Sequence, residues 1–199
     1  VETSRVSELE TLFGVELSGE QRHQVRVYLE TLSRWNRRIN LTSIDRVEEQ
    51  LRLSFFEAFW AAKLFVKEDT RVADIGAGAG FPGVPIKVFR PGVELTLIEP
   101  SGKKAVFLEE ACRAAGIGVR VFGGRGEEFG DWESIDLATV RALRLSPLVE
   151  RQLCNNRIEL LVFHGKAPEV TEARFAVDRR ERVPGSENRF VSLYVPRET

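Results

Sequence analysis

Residues 72–85 read Val72-Ala73-Asp74-Ile75-Gly76-Ala77-Gly78-Ala79-Gly80-Phe81-Pro82-Gly83-Val84-Pro85, and this stretch decides the fold. Val72, Ala73 and Ile75 predict a buried β-strand, Gly76, Gly78 and Gly80 a tight turn, and the residues after Phe81 the opening of a helix. Glycines in such a turn permit positive φ and let a ligand approach the main chain with no Cβ in the way. Free N–H groups at the helix start are expected to face that ligand. The dinucleotide fingerprint is G-x-G-x-x-G, whereas here the third glycine falls one residue early and Phe81 takes its place. The spacing predicts a nucleoside-cofactor loop and argues against NAD.

Downstream of Arg71, short apolar runs alternate with amphipathic segments, which predicts a parallel sheet with helices on both faces. Strand two is expected at Glu94 to Ile98, strand three at Val119 to Phe122, strand four from about Ile135 to Val140 and strand five at Glu159 to His164. Pro91-Gly92 ends the helix after the glycine loop, and Ser101 opens another that closes at Gly116. A polar helix is expected from near Pro168. Two extended runs, near Phe175 to Val183 and Phe190 to Val195, flank Pro184-Gly185-Ser186 and predict an antiparallel hairpin at one sheet edge.

Upstream the pattern is helical. Val6, Leu9, Leu12 and Phe13 mark a short helix ended by Gly14. Ser18 with Gln21 forms a capping-box pattern ahead of a longer helix whose inner face is Val25, Leu29, Leu32, Trp35 and Ile39. Its outer face carries Arg22, Arg26, Arg34, Arg37 and Arg38, which read either as a solvated face or as a patch for phosphates. Asp45 is placed to cap a third helix, whose Leu51, Phe55, Phe56, Phe59 and Trp60 are expected in the core. Residues 1–66 thus read as a helical extension on a 67–199 core, within one domain.

Composition sets the class. The 199 residues suit one medium domain, and at 43% hydrophobic and 30% charged the chain has the balance of a soluble globular protein. No apolar run approaches the ~20 residues of a membrane span and no secretory signal pattern is present, so a cytoplasmic, membrane-free protein is expected. Cys112 and Cys154 stand far apart without a CxxC partner, which argues against disulfide scaffolds and metal sites. A net charge of −1 excludes a global positive field, so any nucleic-acid contact must be local. The chain begins at Val1 and has no Met, and is expected to start inside a longer translated sequence.

In an open α/β sheet the ligand lies beyond the carboxyl ends of the strands at the switch point. The loop residues Gly76, Ala77, Gly78, Gly80 and Phe81 are therefore cofactor-binding candidates. Glu99, ending strand two, is placed to accept ribose hydroxyls, and Arg125-Gly126-Glu127 to border a nucleobase edge. Asp74 is expected to brace the loop N–H groups or to face a cationic ligand. Arg141 closes strand four and lines the cleft or makes a structural ion pair. Lys103 and Lys104 are rim cations or ordinary helix-start cations. His23 and His164 lack any nucleophile motif around them, and no G-x-x-x-x-G-K-[ST] occurs.

The glycine loop through Phe81-Pro82-Gly83-Val84-Pro85, with Trp35-Asn36 and Asn40-Leu41-Thr42 before it and Gly102-Lys103-Lys104, Arg125-Gly126-Glu127 and Arg141-Ala142 after it, resembles one family. It is that of the bacterial small-subunit (16S) ribosomal RNA guanine-N7 methyltransferases, the glucose-inhibited division protein B family. The resemblance covers nearly the whole chain in order. It implies a Rossmann-like class I methyltransferase fold and S-adenosylmethionine as cofactor. Gly76 and Phe81 would then lie on its methionine side, Glu99 near the ribose, Gly126 and Glu127 at the adenine, and Arg141 in the cleft. Leu53 and Phe56 stand where the family carries His and Asp in an Arg-His-x-x-Asp-Ser run, and Leu153 to Ile158 lacks the family's Pro-Gly-Gly turn.

Guanine N7 has a free lone pair and the sulfonium is an activated leaving group, so no general base is needed. Alignment can then supply up to about 7–11 kcal/mol of the barrier. Phe81 and Arg141 are the expected catalytic residues, and Arg37, Arg38, Lys103, Lys104 and Lys166 the expected RNA contacts. The partner would be small-subunit ribosomal RNA or a ribosomal particle, and the protein a monomer. Alternatives are a divergent class I methyltransferase on another substrate and a nonenzymatic RNA- or cofactor-binding paralogue, with an NAD oxidoreductase the weakest.

Overall fold

The computed structural model describes residues 3–42, 44, 46–165, 170 and 173–197. The expected cap at Asp45 and the helix start near Pro168 lie outside these residues, as does Lys166.

Seven strands form one sheet: β1 (Arg71–Ile75), β2 (Glu94–Ile98), β3 (Arg120–Phe122), β4 (Leu137–Arg141), β5 (Glu159–His164), β6 (Phe175–Arg182) and β7 (Phe190–Pro196), in the order β3-β2-β1-β4-β5-β7-β6. The first five run parallel, β7 is antiparallel to β5, and β6 is antiparallel to β7 on the edge. The mostly parallel sheet with its C-terminal hairpin is the architecture expected from the sequence. From β1 the chain winds out to β2 and β3 and then returns to β4, so the order reverses beside β1 and a crevice opens there. The edge strand β6 carries Arg179, Arg180, Glu181 and Arg182 and a register shift between Val177 and Arg179, features that discourage edge-to-edge pairing.

One face is covered by α1 (Thr3–Phe13), α2 (Gly19–Asn36), α4 (Glu57–Phe65), α5 (Gly83–Phe89) and α6 (Gly102–Ala114), whose apolar residues share one core with β1, β2 and β5, and α3 (Val47–Gln50) leads into α4. α2 starts at the capping box read from the sequence: Gln21 N–H donates to Ser18 Oγ at 3.2 Å and Ser18 N–H to Gln21 Oε1 at 2.8 Å. Its buried Val25, Tyr28, Leu29 and Leu32 recur at helical spacing, and Gln21 Nε2 donates to the Val88 carbonyl at 2.9 Å, tying α2 to α5. Between α3 and α4 lies a π-helical turn, Leu51–Phe56. The wider turn sends the Glu57 N–H to the Arg52 carbonyl, where an α-helix would have sent it to Leu53.

The opposite face is covered by α7 (Pro147–Asn155), a helix not anticipated from the sequence. Its cues are local: Ser146 caps it by accepting from the Val149 N–H, and Pro147 opens it. It ends with Arg157 at φ 56, and Ile158 N–H donates to the Leu153 carbonyl at 2.8 Å.

Candidate functional site

The loop between β1 and α5 sits at the switch point and is fastened from three sides. Gly76 and Ala77 N–H groups both donate to the Ile98 carbonyl of β2, at 2.9 and 3.1 Å. Tyr28 of α2, fully buried, donates its hydroxyl to the Ala79 carbonyl at 2.9 Å. Asp74 accepts from the Gly83 N–H at 2.9 Å and from the Thr139 hydroxyl at 3.0 Å, a bond set by the β1–β4 register that places Asp74 opposite Thr139. The bracing role expected of Asp74 is therefore seen at the far end of the loop.

The expectation of free N–H groups at the helix start is corrected. Gly76, Ala77, Gly78, Gly80, Phe81 and Gly83 each donate within the protein. A loop with its donors so engaged is not an anion cradle, which sets it apart from the pyrophosphate loops of dinucleotide folds.

Glu99 is 5% exposed at the end of β2 and accepts from the Gly78 N–H and the Ser101 N–H, each at 2.8 Å. An ionised carboxylate offers about four acceptor sites, so two remain for hydroxyl donors. Gly126 packs beside the end of β1, where a Cβ would meet Val149 Cγ2 at 3.0 Å and Ile75 Cγ2 at 3.6 Å. Glu127, exposed at the same turn, has its carboxyl held below the usual range, chiefly by the Ser146 hydroxyl. Glu99, Gly126 and Glu127 are not among the residues that line the cleft beside the loop.

On the other side is a cleft of about 740 Å³ lined by Gly76, Ala77, Gly78, Phe81, Leu53, Arg141, Leu143, Phe163, His164 and Arg189, with Leu41 and Thr42 at one wall. Leu143 lies over Gly76, where a Cβ would come within 2.6 Å of its Cδ2. Phe81 joins an edge-to-face cluster, its centroid 6.1 Å from Tyr28 and 5.2 Å from Phe55. Of the loop candidates, Gly80 alone does not line the cleft: at φ 87, its Cβ would fall 2.2 Å from the Tyr28 hydroxyl.

Arg141 closes β4 with its guanidinium 5.1 Å from the Phe163 ring centroid, donates to the Leu53 carbonyl at 2.8 Å and pairs with Glu57 at 3.2 Å. Burial lowers its pKa and Glu57 opposes that shift. Glu57, 1% exposed, also pairs with Arg189 at 2.8 Å. Neither Glu57 nor Arg189 was singled out in the sequence, because 132 residues separate them and nothing local marks the pair. Leu53 faces the cleft, while Phe56 turns into the core against Phe13 and Phe59. His164 Nδ1 contacts the Gly165 carbonyl at 2.6 Å, which places the proton on Nδ1 and lets Nε2 accept from the Ser192 hydroxyl at 2.8 Å. Burial lowers its pKa, favouring this neutral ring.

Of the α2 arginines, Arg22 pairs with Glu10 and Arg26 with Glu30. Arg37 and Arg38 are exposed at the helix end that leads into Leu41 and Thr42 of the cleft wall. Lys103 and Lys104 lie in the first turn of α6.

The buried Asp74 carboxyl is pushed up from 3.8 to about 6 by desolvation, against its hydrogen bonds from Gly83 and Thr139. The folded chain then holds more protons than the unfolded one between pH about 4 and 6, so this group lowers stability as pH rises through that window, by about 3 kcal/mol in total. Asp74→Asn keeps an acceptor for Gly83 and can donate to Thr139. It is expected to be more stable than wild type at pH 7 by up to that amount and equal near pH 4. Urea unfolding of both proteins across the range checks this, and a constant difference would refute it.

The loop's main-chain donors are engaged within the protein, which fits a ligand that brings no phosphate to this point. Carboxylates stand at Asp74 and Glu99, the glycine-walled end admits main-chain contact, and phosphate-binding donors are already engaged. Comparison with known proteins agrees. A structure of a SAM-dependent methyltransferase from Aquifex aeolicus superposes with a TM-score of 0.60 at 17% identity, covering 74% of this chain and 92% of that one, and so shares the fold. The Ribosomal RNA small subunit methyltransferase G of Exiguobacterium sp. is 41% identical over 145 residues, a match spanning 69% of this chain and 60% of the relative. The protein of the same name from Alkaliphilus oremlandii is 33% identical over 180 residues, covering 87% of this chain and 75% of the relative. The GidB family, described as rRNA small subunit methyltransferase G, matches residues 21–178, and with these relatives it shows that the chain belongs to that family.

Proposed function

We propose that this protein transfers a methyl group from S-adenosylmethionine to N7 of a guanine in small-subunit ribosomal RNA, acting in the cytoplasm as a monomeric single domain. The observation that carries the reading is the fastened glycine loop with Glu99 beneath it, a site suited to a nucleoside without phosphates. Family membership supports the RNA acceptor.

When bound, S-adenosylmethionine supplies a methyl group on a sulfonium. Glu99 would accept from its ribose hydroxyls, Gly126 and Glu127 would border the adenine, and Gly76, Ala77 and Gly78 would hold the methionine side. Phe81 and Arg141 hold the acceptor across the cleft, Phe81 by its ring and Arg141 by its charge. The cleft's apolar wall excludes water, and no side chain needs to take a proton from N7 before attack. Arg37, Arg38, Lys103 and Lys104 steer the RNA backbone.

The test is methyl transfer from labelled cofactor to unmethylated small-subunit RNA and to the particle, beside a metabolite panel, with mapping of the modified base. Label at one guanine N7 is expected. Transfer to a metabolite with none to RNA would overturn the reading.

A further inference from the structure

We propose that Arg189 holds a phosphate of the RNA acceptor beside the target base, from a position set by Glu57. This rests on the RNA methyl-transfer reading above and names a contact within it. Topology brings the residue to the site: β7 runs antiparallel to β5, so the start of β7 and the turn from β6 stand at the sheet edge where β1, β4 and β5 end. Arg189 immediately precedes β7, and its carbonyl accepts from the Val183 N–H at 3.0 Å, which fixes the backbone.

Glu57 then fixes the side chain. Arg189 Nε donates to Glu57 Oε2 at 2.9 Å and Nη2 to Oε1 at 3.2 Å, a side-on pair with a buried carboxylate. The same carboxylate serves Arg141, so that two guanidiniums of the cleft wall share Glu57. Arg141 also feels the Asp74 carboxylate behind the glycine loop, whereas Arg189 has Glu57 as its acidic partner. The Arg189 side chain is 37% exposed, so Glu57 holds its guanidinium in place without sealing it from the cleft. With Nε and Nη2 on Glu57, Nη1 stays beyond the pair, and a planar guanidinium so held suits a phosphate oxygen.

Distance separates the acceptor from the cofactor as the source of that anion. Passing from β1 through β4 and β5 to β7 crosses three strand spacings, roughly 14 Å in all, whereas Arg141 stands one spacing from β1. Arg189 therefore guards the outer part of the cleft, beyond a cofactor seated on the glycine loop.

Arg189→Ala tests this by RNA affinity across a salt series and by calorimetric titration with S-adenosylmethionine. Affinity for unmethylated small-subunit RNA is expected to fall about tenfold and the salt slope to drop by about one, with cofactor affinity changed less than twofold. Arg189→Lys, which cannot make the side-on pair, is expected to keep the slope and lose part of the affinity. Glu57→Gln is expected to raise KM for RNA more than it lowers kcat; should it fail to fold, Arg189→Ala decides alone. Unchanged RNA affinity and slope in Arg189→Ala, or loss of cofactor affinity in their place, would overturn the assignment. Because the readout is binding, it stands apart from the methyl-transfer assay: wild type that binds RNA without methylating it sinks the proposed function and leaves the Arg189 measurement to be read.

Discussion

Glu99→Gln is expected to weaken S-adenosylmethionine binding by about a hundredfold or more and to destabilise the free protein by about 1–3 kcal/mol. The reason is donor crowding. Both Glu99 oxygens accept from main-chain N–H groups, Gly78 on one and Ser101 on the other. A glutamine must point its amide NH₂ at one of these donors, leaving a nearly buried N–H without an acceptor. In the site proposed above, the ribose hydroxyls would lose a charged acceptor at the same stroke, and such bonds contribute about 1.5–3 kcal/mol each. Calorimetric titration and urea unfolding read the two effects separately. A variant that binds the cofactor as wild type does would remove Glu99 from the site.

Gly80→Ala is expected to cost about 3 kcal/mol or more of stability, read from urea unfolding. Gly80 has φ 87, where an L side chain costs roughly 1–2 kcal/mol, and overpacking adds about 1–3 kcal/mol. The added Cβ would stand 2.2 Å from the Tyr28 hydroxyl and 2.8 Å from Val84 Cγ2. Tyr28 cannot step aside cheaply, since it is fully buried against Phe55, Phe81 and Phe107 and bonded to Ala79. Tyr28→Phe alone is expected to destabilise, because it orphans the Ala79 carbonyl, yet in the Gly80→Ala background it removes the clashing atom. The double variant should therefore be more stable than the sum of the two single changes predicts. Strict additivity would show that the strain lies in the backbone alone.

The fold was legible because its signals are local. Alternating apolar strands and capped helices run from Arg71 to His164, and Pro184-Gly185 marks the hairpin turn. α7 escaped notice because its inward positions are few, Val149 and Leu153, while Leu148 is exposed, which blurs the periodicity. The π-helical turn was equally silent, since its apolar run suits either winding. At the site, the glycine loop, Glu99 and Arg141 were readable from their places at strand ends. The engagement of the loop's N–H groups was not, because Ile98 and Glu99 accept them from a neighbouring strand. Glu57 and Arg189 were out of reach for the same reason, as an ion pair between distant residues leaves no spacing to read. The α2 arginines divide: Arg22 and Arg26 are taken up by Glu10 and Glu30, while Arg37 and Arg38 stay exposed.

The span between Glu57 and Arg189 also orders the assembly of the molecule in time. During synthesis from the N-terminus, the Glu57 carboxylate is made early, Arg141 reaches it with β4, and Arg189 follows only as β7 begins. The groups that fasten the glycine loop, from Tyr28 to Thr139, are all made by the end of β4. The side chains that fasten the glycine loop thus precede, in chain order, the arginine that completes the Glu57 pairs.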